Sequence, residues 1–376
     1  MSGSSATGEP RGCAVFLEAY PHLRGGAQRV NLELASALDA HGWRSQVVAP
    51  GEGPAIDALR ATGVPVVVLP AGPAIHRYGR SRPSARTATD LLRWWGRLSG
   101  HLRRRVDRAV LLVSDQRGLI LGAPGARLAR VPMVWHVHSA EQSQLLRTLG
   151  AVAAASIVAP SRRTADRMPG HRTWVVPNGV AAAGPAPPAA APQPAILTVG
   201  RLHPDKDLGL LLDAVGRLRP AWPDLRTTIV GAEQPGHEAY ARALHARVTG
   251  TDLEATVVFA GHRDDPFAGA DDRTVYVQAS ARETFGLALA EAMARGLAVV
   301  TTATDGAADL VDDDRTGLVV PAGDPGALAA AADRLLGDPV LARRLGDAAR
   351  ADVLRRFSHD AMVAAELRVL TAVAGS

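Results

Sequence analysis

The stretch Arg282-Glu283-Thr284-Phe285-Gly286-Leu287-Ala288-Leu289-Ala290-Glu291 lies between a run typical of a β-strand and a run typical of an α-helix. The apolar pattern predicts the strand over residues 275–278 and the helix over 287–295, with Gly296 just past its end. Glu283 therefore lies in the loop that enters the helix, and Glu291 lies at least one turn inside it. The first amides of a helix favour phosphate or sugar oxygens, and here they belong to Phe285, Gly286 and Leu287.

Strand patterns alternate with helical patterns on both sides of this stretch. Residues 14–17 and 133–137 are examples from the first half, and residues 195–199 and 298–302 from the second. Such alternation predicts α/β domains with parallel sheets covered by helices. An uncharged Ala/Pro-rich segment at residues 181–194 separates the two series. We therefore expect a first domain over residues 1–180, a linker over 181–194 and a second domain over 195–358.

The composition narrows the class of protein. The chain has 376 residues, 47% apolar and 21% charged, which is typical of a globular protein large enough for two cores. Cys13 is the single cysteine, so no disulfide framework or thiolate metal site is expected, and a cytoplasmic location is favoured. The N-terminus lacks the apolar segment of a signal peptide. The Asp pairs at 264–265 and 271–272 resemble solvated turns, and we expect no metal or cofactor.

The charge is divided unevenly along the chain. Residues 1–180 carry a net charge of +12 and residues 181–376 a net charge of −7. Residues 76–108 alone contain ten arginines together with Trp94 and Trp95. Two interpretations are open for this segment. It is either a surface that binds anionic lipid headgroups or an anionic acceptor molecule, or a solvated helical face. No recognised nucleic-acid motif accompanies it, so nucleic acid is not expected as a partner.

Lysine is almost absent from the sequence. Of the 42 basic residues, 41 are arginine and the exception is Lys206. Lys206 shares with Gly200 and Arg201 the loop that follows the strand predicted over 195–199. A planar bidentate guanidinium and a compact ammonium form a suitable clamp for a diphosphate. The loop therefore predicts a second part of the binding site.

Three other strand ends carry candidate residues. Gly25 and Gly26 precede a helical pattern, where glycine allows a ligand to approach the backbone closely. His136 and His138 end the strand predicted over 133–137, and ligands of α/β sheets bind at such carboxyl ends. A further strand ends in the candidate donor-binding residues Gly261, His262 and Arg263.

Together these motifs resemble the retaining glycosyltransferases of family 4, the glycosyl transferases group 1. The resemblance covers most of the chain and is carried by specific motifs: Gly25-Gly26-Ala27, Val176-Pro177-Asn178-Gly179-Val180, Val199-Gly200-Arg201-Leu202 with Pro204 and Lys206, and Glu283 to Glu291 with Phe285-Gly286-Leu287. It implies the GT-B fold, in which two Rossmann-like domains face each other across a cleft. It also implies that a terminal helix, here residues 359–376, crosses back to the first domain.

The resemblance assigns roles to individual positions. Arg201 and Lys206 are expected to hold the donor diphosphate, Glu291 the ribose and Glu283 the transferred sugar. His138, more than His136, is expected near that sugar, and Gly26 is expected to close on the phosphates. The chain departs from the family pattern at Gln28, where an acidic residue is frequent, and at residues 279–281, where Pro-Ser is usual.

The function implied by the resemblance is retaining transfer of a hexose-type sugar without a metal. The donor is a nucleotide sugar, with UDP favoured over GDP, and the acceptor is a hydroxyl of a cell-envelope lipid or glycan. The +12 first domain favours this acceptor and suggests peripheral contact with an anionic membrane at its inner face. Two alternatives stay open: a soluble small-molecule acceptor, and a nucleotide-sugar epimerase, hydrolase or non-catalytic binder of the same fold.

Overall fold

The computed structural model describes residues 11–21, 25–76, 84–104, 108–139, 143–170, 172–184 and 193–375. The chain divides into two compact units, Met1–Pro177 with Asp360–Ser376 (unit 1) and Asn178–His359 (unit 2). Each unit contains one parallel sheet and helices, so the predicted α/β class with two Rossmann-like sheets is confirmed. Most of the predicted linker, residues 185–192, lies outside the described residues.

Unit 1 is built on a seven-stranded sheet in the order β3-β2-β1-β4-β5-β6-β7. Its strands are β1 (Gly12–Leu17), β2 (Trp43–Ala49), β3 (Val66–Val68), β4 (Ala109–Ser114), β5 (Met133–His136), β6 (Ser156–Ala159) and β7 (Thr173–Val175). Its helices are α1 (Gly26–Leu38), α2 (Pro54–Ala61), α3 (Pro73–His76), α4 (Ala85–Arg104), α5 (Asp115–Ala129), α6 (Gln144–Ala153), α7 (Arg162–Asp166) and the last helix of the chain, α14 (His359–Ala374).

The central strands of unit 1 read as continuous apolar runs because helices cover both faces of a parallel sheet. Every residue of β1 and β5 is buried. Helix α5 packs against both α4 and α6, and its partner α4 carries the indole of Trp94 into the core, where it donates to the carbonyl of Leu121. In α14 the apolar side is buried in the same unit.

Unit 2 contains a six-stranded sheet in the order β10-β9-β8-β11-β12-β13. Its strands are β8 (Ala195–Val199), β9 (Arg226–Val230), β10 (Val257–Gly261), β11 (Thr274–Gln278), β12 (Ala298–Thr302) and β13 (Leu318–Val320). Its helices are α8 (Leu208–Leu218), α9 (Glu238–Val248), α10 (Leu287–Ala294), α11 (Asp305–Leu310), α12 (Pro325–Gly337) and α13 (Pro339–Arg356).

The order of the strands in unit 2 positions the candidate site. Strand β8 pairs in parallel with β11, with Val275 opposite Ile196 and Tyr276 opposite Leu197. The loops that follow these two strands therefore leave the sheet side by side at its carboxyl edge, although about 80 residues separate them in the chain. The first loop contains Lys206 and the second contains Glu283.

The Arg-rich segment 76–108 lies partly outside the described residues, because 77–83 and 105–107 are not among them. Its described part is mainly α4, which has arginines along its outer face. Within the described part of the chain, no helix has the length and apolar character that crossing a bilayer requires.

Candidate functional site

The loop after β8 is shaped by a short 3₁₀ turn, Pro204–Lys206. Proline begins this turn, where its missing N–H carries no penalty. Asp207 follows in the left-handed region with φ 41°, and its carboxylate caps α8 by accepting from the amide of Leu210 at 3.3 Å. The cap ends the loop, and the methylenes of the Lys206 side chain lie against the Cα of Gly200.

Lys206 and Glu283, two predicted site residues, form an ion pair between the two loops. Their side chains are only 24% and 17% exposed, so the pair is partly shielded from water. Each group is the counter-ion of the other in the absence of a ligand. A diphosphate that binds Lys206 therefore has to replace a carboxylate, and a sugar that binds Glu283 has to replace an ammonium.

A second ion pair of opposite polarity lies one residue away, between Asp205 and Arg282. Nε of Arg282 donates to Oδ1 of Asp205 at 2.8 Å, and Nη2 lies 2.7 Å from the same oxygen. The carbonyl of Asp205 also accepts from the amide of Ala281 at 2.9 Å. The two loops are thus joined by Asp205 independently of the Lys206–Glu283 contact. Sequence reasoning missed this pair, because it depends on which strands are neighbours.

The turn between Glu283 and α10 depends on two glycines. Gly286 has φ 95°, a left-handed conformation that glycine adopts without the penalty of a Cβ. Gly306 approaches the same turn closely: its amide donates to the carbonyl of Glu283 at 3.0 Å, and a Cβ there would lie 2.1 Å from the carbonyl oxygen of Phe285. Phe285 itself is buried in the core. These contacts hold Glu283 at the edge of the sheet and start α10 at Leu287.

Glu291 lies in the middle of α10 and is almost fully buried. Tyr276 of β11 is fully buried, and the charges of Glu283 and Glu291 both act on its phenol. Burial is the main cause that raises the pKa of the Tyr276 phenol, and the two carboxylates raise it further. Tyr276 therefore stays protonated, and sequence reasoning did not identify this buried phenol.

The remaining predicted residues of unit 2 lie at the same edge. Arg201 is exposed in the loop after β8, beside Gly200. Gly261 ends β10, and its carbonyl accepts from the amide of Gly231 at 2.8 Å, while Gly200 donates to the carbonyl of Val230 at 2.9 Å. His262 and Arg263 follow Gly261 and are exposed.

The other two predicted residues belong to unit 1. Gly26 begins α1 after the extended Gly25. His138 follows β5, and its amide donates to Oδ1 of Asp115 at 3.0 Å. Burial, followed by the charge of His136, lowers the pKa of His138 to about 3, so its imidazole is neutral at physiological pH. His136 instead contacts Glu366 of α14, with 3.1 Å between Nε2 and Oε1 in a buried pair.

Unit 1 also places a carboxyl at the carboxyl end of β1 that sequence reasoning missed. Burial raises the pKa of Glu18 to about 7 against the lowering effect of hydrogen bonds from the Tyr20 amide and the Gln28 side chain, with Asp115 raising it slightly. Gln28, one of the departures from the family pattern, is therefore a partner of Glu18. Among the described residues, no three His, Cys, Asp or Glu side chains gather in a metal-binding arrangement.

Comparison with known proteins assigns the family. Residues 24–183 match the model of Glycosyltransferase Family 4, and residues 193–338 match that of Glycosyl transferases group 1. The lipopolysaccharide core biosynthesis mannosyltransferase LpsB of Rhizobium meliloti is 30% identical over 342 residues, 85% of this chain and 90% of that protein. The chain belongs to glycosyltransferase family 4. The resemblance stated from the sequence motifs is thereby confirmed.

Two further likenesses extend over nearly the whole glycosyltransferase. Phosphatidyl-myo-inositol mannosyltransferase of Mycobacterium leprae is 28% identical over an alignment of 390 positions, which covers 94% of each chain. The crystal structure of HepE from Anabaena in complex with UDP and glucose has a TM-score of 0.82 and 22% identity, and covers 96% of this chain and 100% of that one. The glycosyltransferase therefore has the GT-B class of fold.

Proposed function

We propose that this glycosyltransferase moves a hexose-type sugar from a UDP-sugar to a hydroxyl of a cell-envelope lipid or glycan, with retention of anomeric configuration. The arrangement that carries the proposal is the Lys206–Glu283 pair at the edge of unit 2, with Arg201 in the same loop and Glu291 in the following helix. Cations and sugar-reading carboxylates are thus brought to one place by two neighbouring strands.

Relatives support the finer parts of the proposal. The names of LpsB and of the mycobacterial relative describe mannosyltransferases that act in lipopolysaccharide core biosynthesis and on phosphatidyl-myo-inositol. These names favour a hexose and an envelope acceptor. HepE was solved with UDP and glucose, which favours UDP as the nucleotide of the donor, with GDP as the second choice.

The proposed mechanism begins with an exchange of partners in unit 2. The donor diphosphate takes Lys206 and Arg201, and hydroxyls of the sugar take the released carboxylate of Glu283, while Glu291 accepts from the ribose. Negative charge grows on the diphosphate as the glycosidic bond breaks, so both cations stabilise the transition state more than the ground state. The leaving phosphate accepts the proton of the acceptor hydroxyl, which attacks from the same face. His138 contributes a neutral imidazole as a hydrogen-bonding group.

The basic surface of α4 supports an additional contact with an anionic membrane. Two shallow concavities line this helix, and Arg86, Arg93, Arg97 and Arg104 contribute their guanidinium groups to one or both. Guanidinium groups suit phosphate because their planar donors bind two oxygens at once. We propose that the lipid headgroups bind here, and that binding weakens as salt is added.

The donor is tested first, by thermal shift with UDP-, GDP- and dTDP-sugars on the intact protein. A ligand at about 100 times its dissociation constant stabilises the fold by about 2.7 kcal/mol, so the true donor gives a clear shift. We expect a shift with a UDP-sugar. Glu291→Gln should reduce this shift, and Arg343→Met should leave it unchanged, because Arg343 pairs with Asp272 at the amino end of β11. If none of the nucleotide sugars stabilises the protein, the proposal fails.

The reaction class is tested with the donor so identified. Transfer to a polyprenol- or glycerolipid-linked acceptor, with the anomeric configuration read by NMR, is the expected result. Consumption of the donor without any acceptor would indicate an epimerase or hydrolase instead. Binding without turnover over a broad acceptor panel would indicate a protein that only binds the nucleotide sugar.

A further inference from the structure

Helix α6 of unit 1 exposes three large apolar side chains on one side. Leu145, Leu149 and Val152 are 68%, 54% and 82% exposed, and their spacing of four and three residues aligns them on a single stripe. Water-exposed leucine and valine are common singly, whereas three on one short helix form a continuous apolar surface. This surface, the α6 stripe, has no role in the proposed donor site.

The stripe cannot be buried by rotating α6 about its axis. The opposite side of the helix is held at Gly150, which packs so closely on the indole of Trp135 that a Cβ there would lie 2.2 Å from the ring. Ser143 caps the helix at its start by accepting from the amide of Leu146 at 3.3 Å. The outward position of the stripe is therefore a consequence of the packing of the inner side.

Basic side chains accompany the stripe. Arg147 on α6 donates to the carbonyl of Arg167, which follows α7, at 3.4 Å, so the ends of the two helices meet. Arg162, Arg163 and Arg167 are all exposed. Among the described residues of 143–184, Asp166 is the only acidic one. Arg147 lies on the side of α6 away from the stripe, and the exposed arginines belong to or follow the next helix, α7. An exposed apolar stripe in such a basic part of a domain fits a helix that lies in the interface of an anionic bilayer.

We propose that α6 is a membrane-insertion helix, whose stripe enters the acyl boundary of an anionic bilayer while the arginines of α7 bind headgroup phosphates. This inference rests on the membrane contact in the proposed function and names the segment that enters the lipid. Helix α5 packs against both α6 and the Arg-rich α4. A second copy of the chain is the less suitable partner, because three side chains offer far less than the roughly 800 Å² per partner of a stable protein interface.

The first experiment compares two variants of the full chain for binding to phosphatidylcholine vesicles with and without phosphatidylglycerol. The test variant is Leu145→Ser/Leu149→Ser/Val152→Ser, and the matched control is Val258→Ser/Val340→Ser, which removes two exposed apolar groups from unit 2. Even partial burial of three such side chains in the bilayer strengthens the partitioning of the protein from water to the vesicle by about 10²-fold. The test variant should therefore bind anionic vesicles about 10²-fold more weakly. The control should bind as the wild type does.

The second experiment measures insertion directly and does not depend on a triple substitution. Cys13 is buried, so an environment-sensitive fluorophore can be attached selectively to Leu149→Cys or to the control Val340→Cys. We expect brominated lipids to quench the label at position 149 and to leave the label at position 340 unchanged. A thermal unfolding curve checks that each variant is folded.

The results separate this inference from the other proposals. If the triple variant binds vesicles as tightly as the wild type, and the label at position 149 is not quenched, insertion by α6 is overturned. The proposed membrane contact of α4 is unaffected by this result. If the wild type forms a concentration-dependent dimer in sedimentation, and the triple variant loses the dimer but keeps vesicle binding, the α6 stripe contacts a second copy of the chain. This result also overturns insertion. Donor-induced thermal shifts report on unit 2 and are expected to be the same in the variants, so failure of the donor assignment is seen separately.

Discussion

Replacing Lys206 by methionine tests the central residue of the proposed donor site, because the substitution removes the charge and keeps most of the aliphatic stem. Loss of one group that stabilises a developing negative charge lowers kcat by about 10²–10³-fold, or about 2.7–4 kcal/mol. The Lys206 side chain is 24% exposed and therefore partly screened by water, so we expect the lower end, about 10²-fold.

The same substitution affects folding stability by a different route. It leaves Glu283 partly buried without its ammonium partner. Exposed pairs contribute about 0–1 kcal/mol, and breaking a fully buried one costs about 3–5 kcal/mol, so this intermediate pair should cost about 1–2 kcal/mol. Adding Glu283→Gln to the methionine variant removes the unpaired charge. We expect the double variant to regain at least half of the lost stability and none of the lost turnover.

The assay combines steady-state transfer with urea denaturation of the same preparations. Arg343→Met is the matched control, because it breaks the ion pair with Asp272 (2.8 Å), which precedes β11 and therefore lies at the opposite edge of the sheet of unit 2 from the candidate site. This control should keep full turnover. Near-wild-type kcat in Lys206→Met would refute the assignment of the lysine to the diphosphate. A double variant that regains turnover together with stability would show that the loss came from folding alone.

Three other perturbations have defined outcomes. Glu18 holds an extra proton in the folded state between its usual pKa of 4.5 and its raised value of about 7, so wild-type stability should fall by about 3 kcal/mol as the pH rises through this window. Urea denaturation across the window should show a flatter profile for Glu18→Gln, and parallel profiles would contradict the raised pKa. Arg282→Leu should lower kcat/KM about tenfold, because the Lys206 loop is then misplaced, and should lower the free energy of unfolding by less than about 1 kcal/mol. Unchanged kinetics would show that the Asp205–Arg282 pair does not position this loop. Gly286→Ala should destabilise unit 2 by about 1–2 kcal/mol in the same denaturation assay because of its φ of 95°, and an unchanged midpoint would show that the turn relaxes.

Much of the fold can be predicted from local sequence patterns. The buried strands and the helix after Gly286 were predicted within a few residues, because apolar periodicity and helix-ending glycines act over short distances. The loop positions of Arg201, Lys206 and Glu283 followed from the same patterns. Their roles in donor binding stay predictions.

Other features depend on which strands are neighbours, and no local pattern reports this. The contact between Lys206 and Glu283 spans 77 residues and exists because β8 pairs with β11. The Asp205–Arg282 pair has the same origin. The pKa of Glu18 depends on how deeply β1 buries its end, and its carboxyl is chemically ordinary in the sequence. A position directly after a buried strand was the one signal that could have drawn attention to it.

The single lysine of the chain can be understood from the ion pair in which it is found. In this sequence 41 other cationic positions are arginine, including Arg282, whose Nε and Nη2 both lie close to one oxygen of Asp205. An arginine at position 206 could bind Glu283 through two parallel hydrogen bonds, and that carboxylate would then be harder for a diphosphate to displace. An ammonium acts as a compact point charge with rotatable donors, so it can pass from a carboxylate to a phosphate oxygen with a small movement. We therefore propose that the two adjacent pairs have different tasks: arginine holds the loops together, and lysine changes partner when the donor binds.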